Sequence, residues 1–149
     1  MVNSGLFVYG TLVFDGVLDA LLDYVPKKEP LVMKGYVAKI IHLEGWEPFP
    51  VLLESIDHSV SGFVLKDLTE QDLERLDRYE YVDEGYYTRK LIYISSDVYV
   101  TVYEPAKNIF EVGKLGDVWS VETIDPLLES IYVDSVVPKF RREHPDIFM

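Results

Sequence analysis

Two stretches of the sequence carry residue types that could do chemistry together. The first ends at Glu80. In Thr69-Glu70-Gln71-Asp72-Leu73-Glu74-Arg75-Leu76-Asp77-Arg78-Tyr79-Glu80, Leu73 and Leu76 are the apolar anchors of an expected helix. At 3.6 residues per turn, Glu80 falls on their stripe, whereas Glu70, Gln71, Glu74 and Arg78 lie mostly elsewhere. A carboxylate aimed at the apolar side is costly unless it is paired or protonated. Its pKa is expected above the reference of about 4.3, as a general acid–base group near neutrality requires. Asp77 borders the same stripe, and Glu80 at a helix end can also swing into water or pair with Arg89. Periodicity alone therefore leaves those alternatives open. The second stretch is Leu6-Phe7-Val8-Tyr9-Gly10-Thr11-Leu12, an apolar strand that stops at a glycine and a hydroxyl residue. Backbone N–H groups released by such a break can converge on an anion or a carbonyl oxygen. Glycine lets the two approach closely. The plain alternative is a strand-to-helix turn that holds nothing.

Other chemistries find little support. The chain has no cysteine, which excludes disulfides, thiolate catalysis and thiolate metal sites. His42, His58 and His144 are scattered, so no metal-ligand cluster is expected. With 11 tyrosines, any single one more often packs than binds. A tyrosine facing an interior cavity can still donate a hydrogen bond. On a strand Tyr87 shares a face with Arg89, and Tyr103 with Thr101 and Tyr99. The formal net charge of −12, from 14 basic and 26 acidic residues, repels a phosphate backbone, so no nucleic-acid partner is expected. No apolar run approaches the roughly 20 residues of a membrane span, and no signal-peptide pattern opens the chain. The expectation is a cytoplasmic protein with no membrane partner.

The elements that must position these residues follow from pattern. At 149 residues the chain is large enough for one domain with a full core. Residues 13–22 carry Val13, Val17, Leu18, Leu21 and Leu22 at helical spacing, weakened at Gly16. Residues 24–30, with Pro26 and Pro30, read as a loop, and residues 33–43 as a strand. A Gly- and Pro-rich connection leads to a short strand at 51–53, a turn at 56–59 and a strand at 60–65. Gly62 inside that last strand marks a bulge or a close approach. Thr69 offers an N-cap hydroxyl, with Asp72 approximating a capping box, and the helix runs from about Glu70 to Tyr79. Residues 86–94 and 98–104 flank Ser95-Ser96-Asp97 as a hairpin. Beyond Lys107 the pattern loosens at Gly113 and Gly116. Ile124, Leu127, Leu128, Ile131 and Val133 suggest a helix from about Pro126. Many short strands with a few helices predict an α+β domain whose sheet is largely antiparallel.

Five motifs in this order and spacing resemble the gamma-glutamyl cyclotransferase-like family, in its gamma-glutamylamine cyclotransferase or avirulence-induced-gene-like branch. They are Phe7-Val8-Tyr9-Gly10-Thr11-Leu12, Phe49-Pro50-Val51-Leu52, Val60-Ser61-Gly62-Phe63-Val64, Leu76-Asp77-Arg78-Tyr79-Glu80 and Tyr87-Thr88-Arg89. The resemblance implies a small mixed, largely antiparallel β-barrel with a few helices, enclosing a cavity. It implies that Tyr9, Gly10, Thr11 and Leu12 hold a glutamyl moiety through backbone N–H groups, that Glu80 is the acid–base residue, and that Tyr87 and Tyr103 belong to the substrate site. Many members carry glycine after the glutamate, where this chain has Tyr81. Residues 81–85 also form a somewhat long segment, which bears on substrate size at the cavity mouth. From about Lys107 no clear counterpart is found. The organisation expected is a family domain over 1–106 and a helical C-terminal extension over 107–149, packed on the same domain.

The activity implied is release of 5-oxoproline from a gamma-glutamyl amine or peptide. The substrate's own α-amine attacks its γ-carbonyl, in a cyclising acyl transfer or lyase reaction that needs no cofactor. The partner implied is a small gamma-glutamyl molecule. Two rival readings keep the same residues: a binding protein that uses the cavity without turnover, and a scaffold that acts through its tail and acidic surface. A pure binder of an anionic ligand gains nothing from a buried carboxylate, which favours the enzyme.

Overall fold

The computed structural model describes residues 2–45, 48–82, 85–95, 97–119 and 127–148. Six strands form one sheet in the order β4-β5-β1-β3-β2-β6. They are β1 (Val2–Val8), β2 (Lys28–His42), β3 (Phe49–Leu65), β4 (Tyr87–Tyr93), β5 (Val98–Pro105) and β6 (Lys114–Val118). Every neighbouring pair is antiparallel except β1 and β5. The sheet curls into a half-barrel, and with its few helices it makes the α+β class that the sequence predicts.

β1 sits inside the sheet, and its C-terminal part, Leu6 to Val8, is buried on both faces, which is why that stretch reads as an apolar run. Leu6 and Val8 point into one core with Val51, Leu65 and the helices, while Phe7 and Tyr9 point into a second core with Met33, Leu52, Val64 and Val102. The helical core is built from α1 (Asp15–Leu22), α2 (Glu70–Tyr79) and the C-terminal helices. The latter run as α4 (Leu127–Ile131), a π-helical turn (Tyr132–Val136) and α5 (Val137–Glu143), after the short α3 (Lys107–Val112). Tyr132, Val137, Phe140 and the following Ile147 are buried together with Val17, Leu18 and Leu76, so the tail shares the main core. No helix among the described residues is long and apolar enough to cross a membrane.

Several elements differ from expectation. The helix read from Val13 begins at Asp15, because residues Thr11–Val13 form a 3-10 turn and Phe14 is extended. β2 starts at Lys28 and takes in Pro30, within a stretch whose prolines predict a loop. β6 pairs only with the far end of β2, from Lys39 to His42, so Pro30 lies where one side of β2 is open and no N–H is needed. The turn expected at 56–59 is an excursion within one continuous strand. Lys34 pairs with Ser59 and Tyr36 with Glu54, leaving residues 55–58 opposite Gly35. Ile56 consequently stands 92% exposed, and a 2.6 Å hydrogen bond between Ser55 Oγ and His58 Nδ1 closes the excursion. α3 and β6 went unread because Gly113 and Gly116 break the local pattern. Both glycines pack tightly in the fold, Gly113 against Ile41 and Leu43 and Gly116 against His42. The expected helix start at Pro126, with Ile124, lies outside the described residues.

Candidate active site

A cavity of about 510 Å³ opens between the half-barrel and the C-terminal helices. Its walls come from the end of β1 and the turn after it, the start of β3, the end of α2, and the C-terminal segment. The sequence-predicted site residues Tyr9, Gly10, Thr11, Leu12, Glu80, Tyr87 and Tyr103 all line it.

Glu80 is carried there by α2. The helix begins with a complete capping box, since Thr69 Oγ1 accepts from the Asp72 N–H at 3.0 Å and Asp72 Oδ2 accepts from the Thr69 N–H at 3.0 Å. Leu76 anchors the buried face, while Leu73 is only half-buried. Arg75, which the periodicity did not single out, is buried instead: Nε donates to Ile147 O at 2.8 Å and Nη1 to Leu21 O at 3.3 Å. Glu80 is the C-cap, the last point at which α2 can deliver a side chain to the cavity. Among the described residues no hydrogen bond or ion pair engages its carboxyl. Burial pushes its pKa up to about 8, with the nearby charge of Asp77 adding to the shift. The expected alternative of pairing with Arg89 does not occur, because Arg89 Nη2 bonds Asp77 Oδ2 at 3.1 Å.

The turn after β1 lies close against the start of β3. A Cβ on Gly10 would come within 2.7 Å of Pro50 Cγ, so glycine is needed for the approach. Trp119 Nε1 donates to Tyr9 O at 2.9 Å and orients that peptide. Thr11 Oγ1 and Tyr79 Oη share a 3.0 Å hydrogen bond, tying the turn to the last residue of α2. As the first residues of a 3-10 turn, Thr11 and Leu12 have N–H groups with no intrahelical acceptor. They meet no other acceptor among the described residues. The site thus offers donors for an anion or oxyanion beside a proton-holding carboxyl.

The tyrosines stiffen these walls. Tyr9 Oη donates to Tyr103 O at 3.1 Å, Tyr87 Oη to Pro50 O at 2.7 Å, and Tyr103 Oη to Asp77 Oδ1 at 2.6 Å. Their hydroxyl protons are therefore already donated within the protein. Burial raises the pKa of all three, with Glu80 adding to each shift, so they stay neutral.

Sequence reasoning missed the C-terminal wall. Tyr132, Ser135, Val136, Lys139, Phe140 and Glu143 all face the cavity. Their spacing of three and four residues is one helical stripe, a signal present in the sequence but interrupted by Pro138. Tyr81 and Tyr86 complete the wall beside Glu80. Among the described residues no group of three or more His, Asp or Glu side chains could hold a metal ion.

Fold and site together define an α+β half-barrel with a cavity into which a glutamate and a glycine-containing turn project. The profile of the family described as Gamma-glutamyl cyclotransferase, AIG2-like, matches residues 6–119. The chain belongs to that family. The match extends beyond Lys107, where the motifs alone found no counterpart, and ends before the C-terminal helices. AIG2-like protein C of Arabidopsis thaliana is 36% identical over 87 residues, which is 58% of this chain and 47% of that relative. The chain thus spans about half the length of this curated relative. A solved gamma-glutamyl cyclotransferase superposes with a TM-score of 0.60 at 11% identity, over 93% of this chain and 78% of its own. An Arabidopsis thaliana protein determined in solution gives a TM-score of 0.53 at 22% identity, over 93% and 79%. At such identities the likeness is one of fold.

Proposed function

We propose that the protein is a gamma-glutamyl cyclotransferase that releases 5-oxoproline from a gamma-glutamyl amine or peptide, with Glu80 as general acid–base residue. The observation that carries this reading is the Glu80 carboxyl, which lines the cavity with no hydrogen-bond or ion-pair partner among the described residues and has a pKa raised to about 8. A structural carboxylate would be paired; an acid–base group must be available to the substrate.

In the reaction the substrate's α-nitrogen attacks its own γ-carbonyl carbon, closing a five-membered lactam. Holding the glutamyl chain bent inside the cavity supplies the proximity this step needs. Glu80 as carboxylate takes the proton from the attacking nitrogen. The tetrahedral oxyanion, or the substrate's α-carboxylate, accepts from the Thr11 and Leu12 N–H groups. Protonated Glu80 then returns its proton to the leaving nitrogen, the C–N bond breaks, and 5-oxoproline and a free amine depart. Nothing is oxidised or reduced, and Glu80 ends as it began.

Release of 5-oxoproline from a panel of gamma-glutamyl compounds by wild type and Glu80→Gln tests the reading. Gln keeps the side-chain shape but cannot carry the proton. Turnover in wild type that falls by about a hundredfold or more in the variant is expected. Equal turnover in both would remove Glu80 from the mechanism. Binding of the panel without any turnover would mark a binding protein instead.

A further inference from the structure

α2 ends in a turn that a tyrosine occupies against its backbone preference. The Tyr81 N–H donates to Arg78 O at 3.1 Å and the Val82 N–H to Asp77 O at 3.0 Å. This pair of bonds closes a helix on a left-handed residue, a position that glycine usually fills. Tyr81 takes it with φ of 54°, a conformation disfavoured for a bulky side chain. The turn sets the Tyr81 ring into the cavity wall, 6.3 Å from the ring of Tyr86 and tilted by 47° to it. Tyr132 and Phe140 of the C-terminal segment line the same cavity.

The placement bears on one part of the substrate. Glu80 must reach the leaving nitrogen to protonate it, and Tyr81 is the next residue along the chain. The substituent on that nitrogen therefore emerges beside Tyr81 and Tyr86. A cavity of about 510 Å³ is in the range that holds drug-sized ligands, leaving room beyond a glutamyl group. Aromatic rings offer such a substituent a flat apolar surface and offset stacking.

We propose that Tyr81, backed by Tyr86, is a specificity-determining residue that favours gamma-glutamyl substrates whose leaving amine carries an aromatic group. The inference rests on the cyclotransferase reading of the cavity. It assigns the strained tyrosine a purpose that a glycine could not serve.

Tyr81→Gly is the informative variant, because glycine suits a φ of 54° and the fold should persist. The probes are gamma-glutamylbenzylamine and gamma-glutamylmethylamine, which carry the same charges and differ by the ring. Their kcat/KM values for 5-oxoproline release are compared in wild type and Tyr81→Gly. Their Kd values are compared by calorimetry in Glu80→Gln and in the Glu80→Gln, Tyr81→Gly double variant. The expected result is a preference for the benzyl probe that shrinks by about threefold to tenfold without the Tyr81 ring, in both measurements. A merely structural role would shift Tm and affect the two probes alike. An unchanged ratio overturns the proposal even if turnover is robust. A Kd ratio that follows Tyr81 with no turnover anywhere would keep this subsite and sink the cyclotransferase reading. Failure of both probes to bind or react would overturn both.

Discussion

Asp77 and Glu80 leave the end of α2 three residues apart, and their surroundings separate them completely. Asp77 accepts a 2.6 Å hydrogen bond from Tyr103 Oη and pairs with Arg89 at 3.1 Å. Glu80 has no such partner among the described residues and faces the cavity. Tyr103 and Arg89 are directly cross-strand neighbours on β5 and β4, so one register position supplies both of Asp77's partners. The hairpin thereby fixes one carboxylate in place, and its charge adds to the upward shift at the other. Two like residues on one helical stripe acquire different roles from what stands opposite them.

The pH dependence follows. With the Glu80 pKa raised to about 8, kcat/KM for 5-oxoproline release should climb with pH to a limb near pH 8. Asp77→Asn removes the second cause of the shift, so its limb should move to lower pH. Burial, the larger cause, persists, and the limb should stay above the ordinary carboxylate range. The substrate's own amine titrates identically in both proteins, so the displacement between the two profiles reports on the enzyme. Coincident profiles would show that Asp77 does not tune Glu80.

Stability should respond in the opposite sense to pH. Folded, Glu80 keeps its proton up to about pH 8; unfolded, it loses it near the ordinary carboxylate value of 4.5. Between those values the native state binds more protons than the unfolded chain, so Glu80 makes stability fall as pH rises. Glu80→Gln lacks this contribution. Urea unfolding at a series of pH values should find the variant gaining on wild type from pH 5 to pH 9, with little difference below pH 4.5. A constant difference across the series would mean that Glu80 titrates normally.

The reach of the sequence can be judged at particular residues. Glu80 was legible because its distance from Leu76 and Leu73 puts it on an apolar stripe, and the end of β1 from Leu6 to Val8 because a stretch buried on both faces is apolar at successive positions. The N-cap at Thr69 is local chemistry and formed as expected, and Asp72 completes a capping box that the sequence only approximates. What stayed hidden depends on distant partners. Arg75 looks like a solvated helix residue until Ile147 and Leu21 bring carbonyls to it. The choice between Asp77 and Glu80 waits on a hairpin ten or more residues away. The cavity wall from Tyr132 to Glu143 exists only once the tail has folded back over the half-barrel.

Gly62 gives a strict packing test. A Cβ there would lie 2.2 Å from Val8 O and 2.9 Å from the Phe7 ring, both on the neighbouring β1. A backbone oxygen cannot move aside without displacing the strand that leads to the donor-bearing turn. Gly62→Ala should therefore destabilise the protein by about 3 kcal/mol or more, at the upper end of overpacking substitutions. Thermal unfolding checks it. A change below about 1 kcal/mol would mean that β1 and β3 can part locally without loss.

Arg75 adds polar ties to three elements that already share the main core. Its Nε holds Ile147 O in the turn after α5, its Nη1 holds Leu21 O at the end of α1, and its guanidinium lies 4.6 Å from the Phe148 ring. The ion pair to Asp23 at 3.2 Å contributes little of this, because Asp23 is 60% exposed and the charges are screened. Arg75→Met should keep much of the apolar stem while leaving two carbonyls without their donor, at about 2–4 kcal/mol. Asp23→Asn should lose no more than about 1 kcal/mol. Since Ile147 follows α5, and Phe140 on α5 lines the cavity, the Arg75 variant should also raise KM at temperatures where it remains folded. Denaturant unfolding of the two variants separates the contributions. A larger loss in Asp23→Asn than in Arg75→Met would show that charge, rather than carbonyl capping, anchors the tail over the site.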